Sequence, residues 1–130
     1  MPFSENDDPA KNNNTEQDIF NDKFDVKYSD SILNLKYLNN DLDLYVSPNI
    51  LNGIKRFIET SEVEKVIFDM TNVLYIDSSA IGMFISLKSI LEKSKSKFTL
   101  VNLTKNVHKI LSHVDLIAFL TENSEEFPQL

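Results

Sequence analysis

Asp77, Ser78 and Ser79 stand side by side in YIDSSAIGMF, residues 75–84, where an apolar run gives way to a helix-like pattern. An acid and two hydroxyls at such a seam can do two things. Either Asp77 or Ser78 can cap the backbone amides that the first turn of a helix leaves without partners. The same helix end also favours negative charge, by ~0.3–1 kcal/mol. A phosphate on Ser78 or Ser79 is therefore compatible with the scaffold, and adds roughly −1.5 to −2 charges to the surface beside Asp77. A change of that kind leaves the fold alone and alters what a partner meets. Losing a compatible contact in a buried interface costs ~2–5 kcal/mol, about 30- to 5,000-fold in affinity. From these ten residues alone, ordinary capping and a modification switch both remain open.

The elements that must position the seam are legible around it. FDVKYSDSILNLKYL alternates apolar and polar residues and reads as a hairpin turning near Ser29-Asp30-Ser31. Asn39-Asn40-Asp41 signals a turn, and Asp41-Leu42-Asp43-Leu44 an extended bridge. Ser47-Pro48-Asn49 predicts a helix start, with Ser47 as cap and Ile50, Leu51, Ile54, Phe57 and Ile58 at helical spacing. VIFDM predicts a buried strand. Behind the seam, Ile81, Phe84, Ile85, Leu87 and Leu91 predict a second helix; FTLVNL is a further strand. Thr104 is placed to cap a third helix carrying Val107, Ile110, Leu111 and Val114. Leu116 to Leu120 reads as a last edge strand, and TENSEEFPQL as a further short helical turn before Pro128. Strands alternating with helices imply right-handed crossovers. The expected class is α/β, with a mostly parallel mixed sheet of four to five strands, an antiparallel hairpin at its start and three to four helices.

Composition narrows the function classes. The 130 residues suffice for one domain. Residues 1–22 hold six acids and one lysine, a net charge of −5, with few apolar side chains; they read as a disordered acidic tail before a domain spanning 23–130. The rest holds fourteen acids against twelve bases, so it lacks the basic footprint of direct nucleic-acid binding. No stretch reaches the ~20 apolar residues of a membrane span, and the start is no secretory signal, which predicts a cytoplasmic protein. There is no cysteine, hence no disulfide, thiolate site or thiol nucleophile.

Other constellations are weaker. Asp43, Asp69 and Asp77 could meet at one sheet end and hold Mg²⁺, but no adjacent acidic pair accompanies them. His108 and His113 lie five apart on one helix and do not share a face. No serine has a base and orienting acid in evident reach, and there is no glycine-rich phosphate loop. No enzyme, metal site or cofactor is expected.

Three segments carry a family resemblance. VLYIDSSAIGMFISL resembles the signature of STAS domains, the fold of bacterial anti-sigma factor antagonists: an apolar strand, Asp-Ser-Ser or Asp-Ser-Thr, Gly-Leu-Gly, then an apolar helix. LNNDLDLYVSPNILNGI is similar to the family's Gly-x-Leu-Asp segment and sets Asp43 on its acidic position. KVIFDMTNVLYIDSSA has the family's spacing from central strand to motif. The resemblance spans roughly residues 24 to 120. It implies that Ser78 is phosphorylated by a partner that is both anti-sigma factor and serine kinase. The unphosphorylated form would bind that partner and free a sigma factor; a separate serine phosphatase would reset the cycle. Asp43, Asp77, Ser78, Ser79, Ala80 and Ile81 are the implied contact residues. Ala80 stands where the family usually has glycine, and Asn40 replaces another. The alternative is a non-switching STAS subunit of a larger assembly, such as a stress-sensing complex or a lipid-transport ATPase.

Overall fold

The structure is a computed structural model and describes residues 22–121. The acidic stretch ahead of Asp22, and the helical turn expected beyond Thr121, lie outside the described residues. Strand β1 (Phe24–Ser29) and β2 (Ile32–Tyr37) form the expected hairpin, with Ser29 opposite Ile32. Its two-residue turn puts Asp30 and Ser31 at φ 54° and 64°. Positive φ at both positions gives the turn a twist that matches the strands, and a short polar residue such as Asp tolerates it.

Short strand β3 (Asp41–Leu42) leads to helix α1 (Ser47–Thr60). Strand β4 (Lys65–Asp69) follows, then β5 (Tyr75–Ile76) and helix α2 (Ser78–Lys93). Strand β6 (Lys97–Val101), helix α3 (Lys105–His113) and the short helix α4 (Ile117–Leu120) complete the described residues. Among the described residues the main sheet runs β1-β2-β4-β6, with the β1–β2 pair antiparallel and the other two pairs parallel. β3 and β5 pair in parallel as a separate small ribbon, Asp41 with Tyr75 and Leu42 with Ile76.

One sheet face makes the core. Leu33, Leu35, Val66, Phe68, Phe98 and Leu100 meet Ile50 and Ile54 of α1 and Phe84 and Leu87 of α2 in one buried cluster. Phe84 packs edge-on to Phe68 and stacks near Phe98, at ring-centroid distances of 5.3 and 6.1 Å.

Two local expectations are corrected. Leu116–Leu120 is not an edge strand: Ile117–Leu120 form helix α4. Asp115, at φ 61°, reverses the chain after α3, and the Leu116 amide bonds back to the Leu111 carbonyl at 3.0 Å. Phe119 then sits under the Lys88 ammonium, 5.1 Å from the ring centre, and Leu120 is fully buried. A five-residue apolar run carries no periodicity that separates strand from helix. Ser47 is not the cap of α1. It is the first helical residue, behind an N-cap Val46 that makes no side-chain cap. The Asp43 carbonyl already takes the amides of Val46 and Ser47, at 3.1 and 2.8 Å, and Pro48 brings no amide to cap. The Ser47 hydroxyl is left buried without a partner. Thr104, by contrast, caps α3 as expected, accepting from the Val107 amide.

Candidate functional site

The seam lies where β5 hands over to α2. Ile76 is buried, the last inward position of its strand. Asp77 is the N-cap of α2, with extended backbone, so the helix begins at Ser78. Its Oδ1 accepts from the Ser79 amide at 2.9 Å, the Ser79 hydroxyl at 2.5 Å and the Ala80 amide at 3.2 Å. Its Oδ2 accepts from the Leu44 amide at 3.0 Å, across from the loop between β3 and α1. The Ser79 hydroxyl, then the amides of Ala80, Leu44 and Ser79, hold the Asp77 carboxyl below the usual aspartate value, against an upward push from partial burial. Asp77 is thus a committed anion that ties two loops together.

Asp43 organises the facing loop. Its carboxylate accepts from the Tyr45 amide at 3.0 Å, while its carbonyl holds Val46 and Ser47. Asp43 thus takes the backbone donors of Tyr45, Val46 and Ser47, Asp77 takes that of Leu44, and the side chains of Leu44 and Tyr45 face outward, 63% and 88% exposed.

The approach to the seam is clamped from several elements. The Asn40 carbonyl accepts from the amides of Leu74 and Tyr75, at 2.8 and 3.1 Å. The Thr104 hydroxyl donates to the Val73 carbonyl at 2.6 Å, and the Asn106 amide group to the Leu74 carbonyl at 2.5 Å. Asn72 donates to the Tyr37 carbonyl at 3.2 Å. These bonds hold Leu74 and Tyr75 half in solvent, and Leu44 and Tyr45 stand exposed on the loop that Asp77 ties to the start of α2.

Ser78 is exposed. Asp77 spends its hydrogen bonds on Ser79, Ala80 and Leu44, so the fold asks nothing of the Ser78 hydroxyl. Further along the same side of α2, Gly82 and Ile85 are exposed, and a Cβ added at Gly82 would meet nothing within 4 Å.

The structure thus brings Asp43, Asp77, Ser78 and Ser79 to one end of the ribbon, with Ile81 half-buried behind them. Ala80 differs. It is fully buried in the core cluster, so its side chain packs the interior behind the exposed Ser78. Its backbone is helical, and it is absent from the residues with positive φ, so alanine in place of glycine is unstrained here.

Asp69 does not join the site. It closes its own turn, accepting from the Thr71 amide, the Thr71 hydroxyl and Asn102. Burial pushes its carboxyl up, but those bonds and nearby Lys36 outweigh it and hold it low. Among the described residues, no group of three or more His, Cys, Asp or Glu could hold a metal ion.

Sequence reasoning did not single out Leu74 and Tyr75, which lie within the apolar run that ends at Asp77. It also missed Tyr45, whose exposure follows from the Asp43 turn. The signal available was Asp43 itself, two residues before Tyr45, since aspartate commonly bonds the amide two positions on.

Residues 23–127 match the family model described as STAS domain. The fold is similar to SpoIIAA, an anti-sigma factor antagonist, in its unphosphorylated form: 21% identity, TM-score 0.67, covering 79% of this chain and 90% of that one. It is also similar to the phosphorylated form of SpoIIAA, a Bacillus cell fate determinant, at 20% identity and TM-score 0.61, covering 79% and 94%. A third similar structure is the murine anion transporter Slc26a9, at 23% identity and TM-score 0.56, where the match covers 67% of this chain but 14% of the transporter. No described helix is long and apolar enough to cross a membrane.

Proposed function

The chain belongs to the STAS domain family, and we propose that it is an anti-sigma factor antagonist switched by phosphorylation of Ser78. Unphosphorylated, it binds a kinase-type anti-sigma factor through Asp43, Asp77, Ser78, Ser79 and Ile81, together with the exposed Leu44, Tyr45, Leu74 and Tyr75. A sigma factor is thereby released. Phosphorylated, it lets go, and a serine phosphatase restores it. It acts by binding and not by catalysis.

One observation carries this reading: the exposed hydroxyl of Ser78 stands at a helix start whose cap is already supplied by Asp77. A phosphate there meets the positive end of α2 and breaks no fold contact. The surrounding apolar side chains form a surface that a partner would desolvate. A dianion placed at its centre, beside Asp77, then costs ~2–5 kcal/mol on binding.

The test is capture of the anti-sigma factor by wild type, Ser78→Ala and Ser78→Asp, with phosphosite mapping of protein purified from cells. Ser78→Ala should retain the partner and Ser78→Asp should lose it. A stable complex indifferent to both substitutions, with no phosphate at Ser78, overturns the switch and favours a fixed subunit of a larger assembly.

A further inference from the structure

The main sheet has a second face, opposite the core. Its apolar members are Ile32, Ile67 and Val101, one on each of three neighbouring strands and set diagonally: Ile32 lies opposite Lys65, Ile67 between Asn34 and the buried Thr99, and Val101 opposite Asp69. All three are half-buried, yet none belongs to the core cluster or packs against it. Around them the same face carries Lys27, Lys36, Lys65 and Lys97. Its acids are Asp25 and Asp69, and Asp69 is already held by Thr71 and Asn102. Four lysines against two aspartates make this face net positive, in a chain whose net charge is −7.

Residues 1–21 have the complementary character. They hold five acids, Glu5, Asp7, Asp8, Glu16 and Asp18, against the single Lys11. Ile19 and Phe20 form an apolar pair close to the point where this stretch joins the sheet. That point is fixed: the Lys23 carbonyl accepts from the Leu38 amide at 2.8 Å, which anchors the chain at the β1 edge. The segment therefore starts beside the row Asp25, Lys36, Asp69 and Val101. Extended, 21 residues reach up to ~70 Å. Four strands spaced ~4.8 Å apart are only ~15 Å across.

We propose that residues 1–21 dock across this face, with Ile19 and Phe20 against Ile67 and Val101 and the acids among the lysines. The competing occupants fit less well. Two copies set face to face would oppose lysine to lysine. The Ser78 end of the domain, with Asp41, Asp43 and Asp77, repels an acidic segment. The inference does not depend on the proposed function.

The chain has no cysteine, so Thr15→Cys gives a unique site for a nitroxide label on the full-length protein. The label should attenuate the amide signals of Asn34, Ile67 and Val101 and spare those of α1. The attenuation should survive tenfold dilution, weaken in high salt and vanish when Ile19→Ser and Phe20→Ser are added. Attenuation centred on Tyr45 and Ser78, or absent from the sheet face, overturns the proposal. So does attenuation that passes from labelled protein to an unlabelled, isotope-enriched copy, since that assigns the face to a second molecule.

Discussion

The Leu44 amide and the Asp77 carboxylate, 33 residues apart, meet at 3.0 Å, and the loop before α1 is thereby tied to the start of α2. The opposite oxygen of the same carboxylate caps α2 through Ser79 and Ala80. One side chain therefore determines both the position of Leu44 and Tyr45 and the orientation of the helix end that presents Ser78.

Replacing Asp77 with asparagine keeps the shape and removes half of the acceptor capacity. One oxygen can still cap the helix, but the amide group must then face the donor of Leu44 or of Ser79. An N-cap and a charge-assisted bond are each worth ~1–2 kcal/mol. Asp77→Asn should lower the melting temperature by several degrees, at roughly 4–8 °C per kcal/mol for a domain of this size. Hydrogen exchange at the Leu44 amide should quicken more than exchange in β4. Equal protection in both proteins would contradict the tie between the two loops.

Acid unfolding follows from the same carboxylates. Asp77 and Asp69 both have folded-state values below the unfolded one, so the unfolded chain binds protons first as pH falls. Their contribution is complete above the ordinary aspartate value of ~3.9 and is lost as pH drops through the lower folded values. Denaturation midpoints should be level for these groups from neutrality to about pH 5 and fall below about pH 4. The Asp69→Asn and Asp77→Asn double variant should show a shallower acid decline. An unchanged slope would show that these two groups do not govern it.

The parts of this architecture that a single sequence displays are the ones decided within a few residues. The hairpin is visible because apolar and polar positions alternate on both sides of Asp30-Ser31, which accept left-handed backbone. The α2 cap is visible because an acid and two serines interrupt an apolar run. What is hidden depends on distant partners. Leu74 and Tyr75 lie in an apolar run, but Asn40, Thr104 and Asn106 hold their backbone at the surface. Ser47 looks like a cap, but the Asp43 carbonyl intercepts the amides first. Leu116–Leu120 has the composition of a strand and becomes helical because Asp115 turns the chain back onto α2. The site was legible as a motif, and its apolar rim was not.

Tyr45 separates binding from stability. It is 88% exposed, and its backbone is held by Asp43 whatever its side chain. Tyr45→Ser should change unfolding free energy by no more than about 0.5 kcal/mol. Truncating an aromatic anchor at the centre of an interface costs ≥ ~2 kcal/mol, so affinity for the proposed anti-sigma factor partner should fall about 30-fold or more. Thermal melts and a binding titration on one preparation give both numbers. Undiminished affinity would remove the exposed rim from the contact surface.

Ala80 makes the reverse case. Its methyl group is fully buried and its backbone helical, so substitutions there act on packing. Ala80→Gly restores the residue that the family commonly carries, yet it should cost up to about 1 kcal/mol, through helix propensity and the lost methyl. Ala80→Leu forces a larger side chain against the core and should cost about 1–3 kcal/mol. Partner affinity and phosphorylation of Ser78, measured well below the melting temperature of each variant, should remain at wild-type levels for Ala80→Gly. A gain in phosphorylation with glycine would mean that the methyl group restrains the turn for the kinase, and Ala80 would then belong to the site after all.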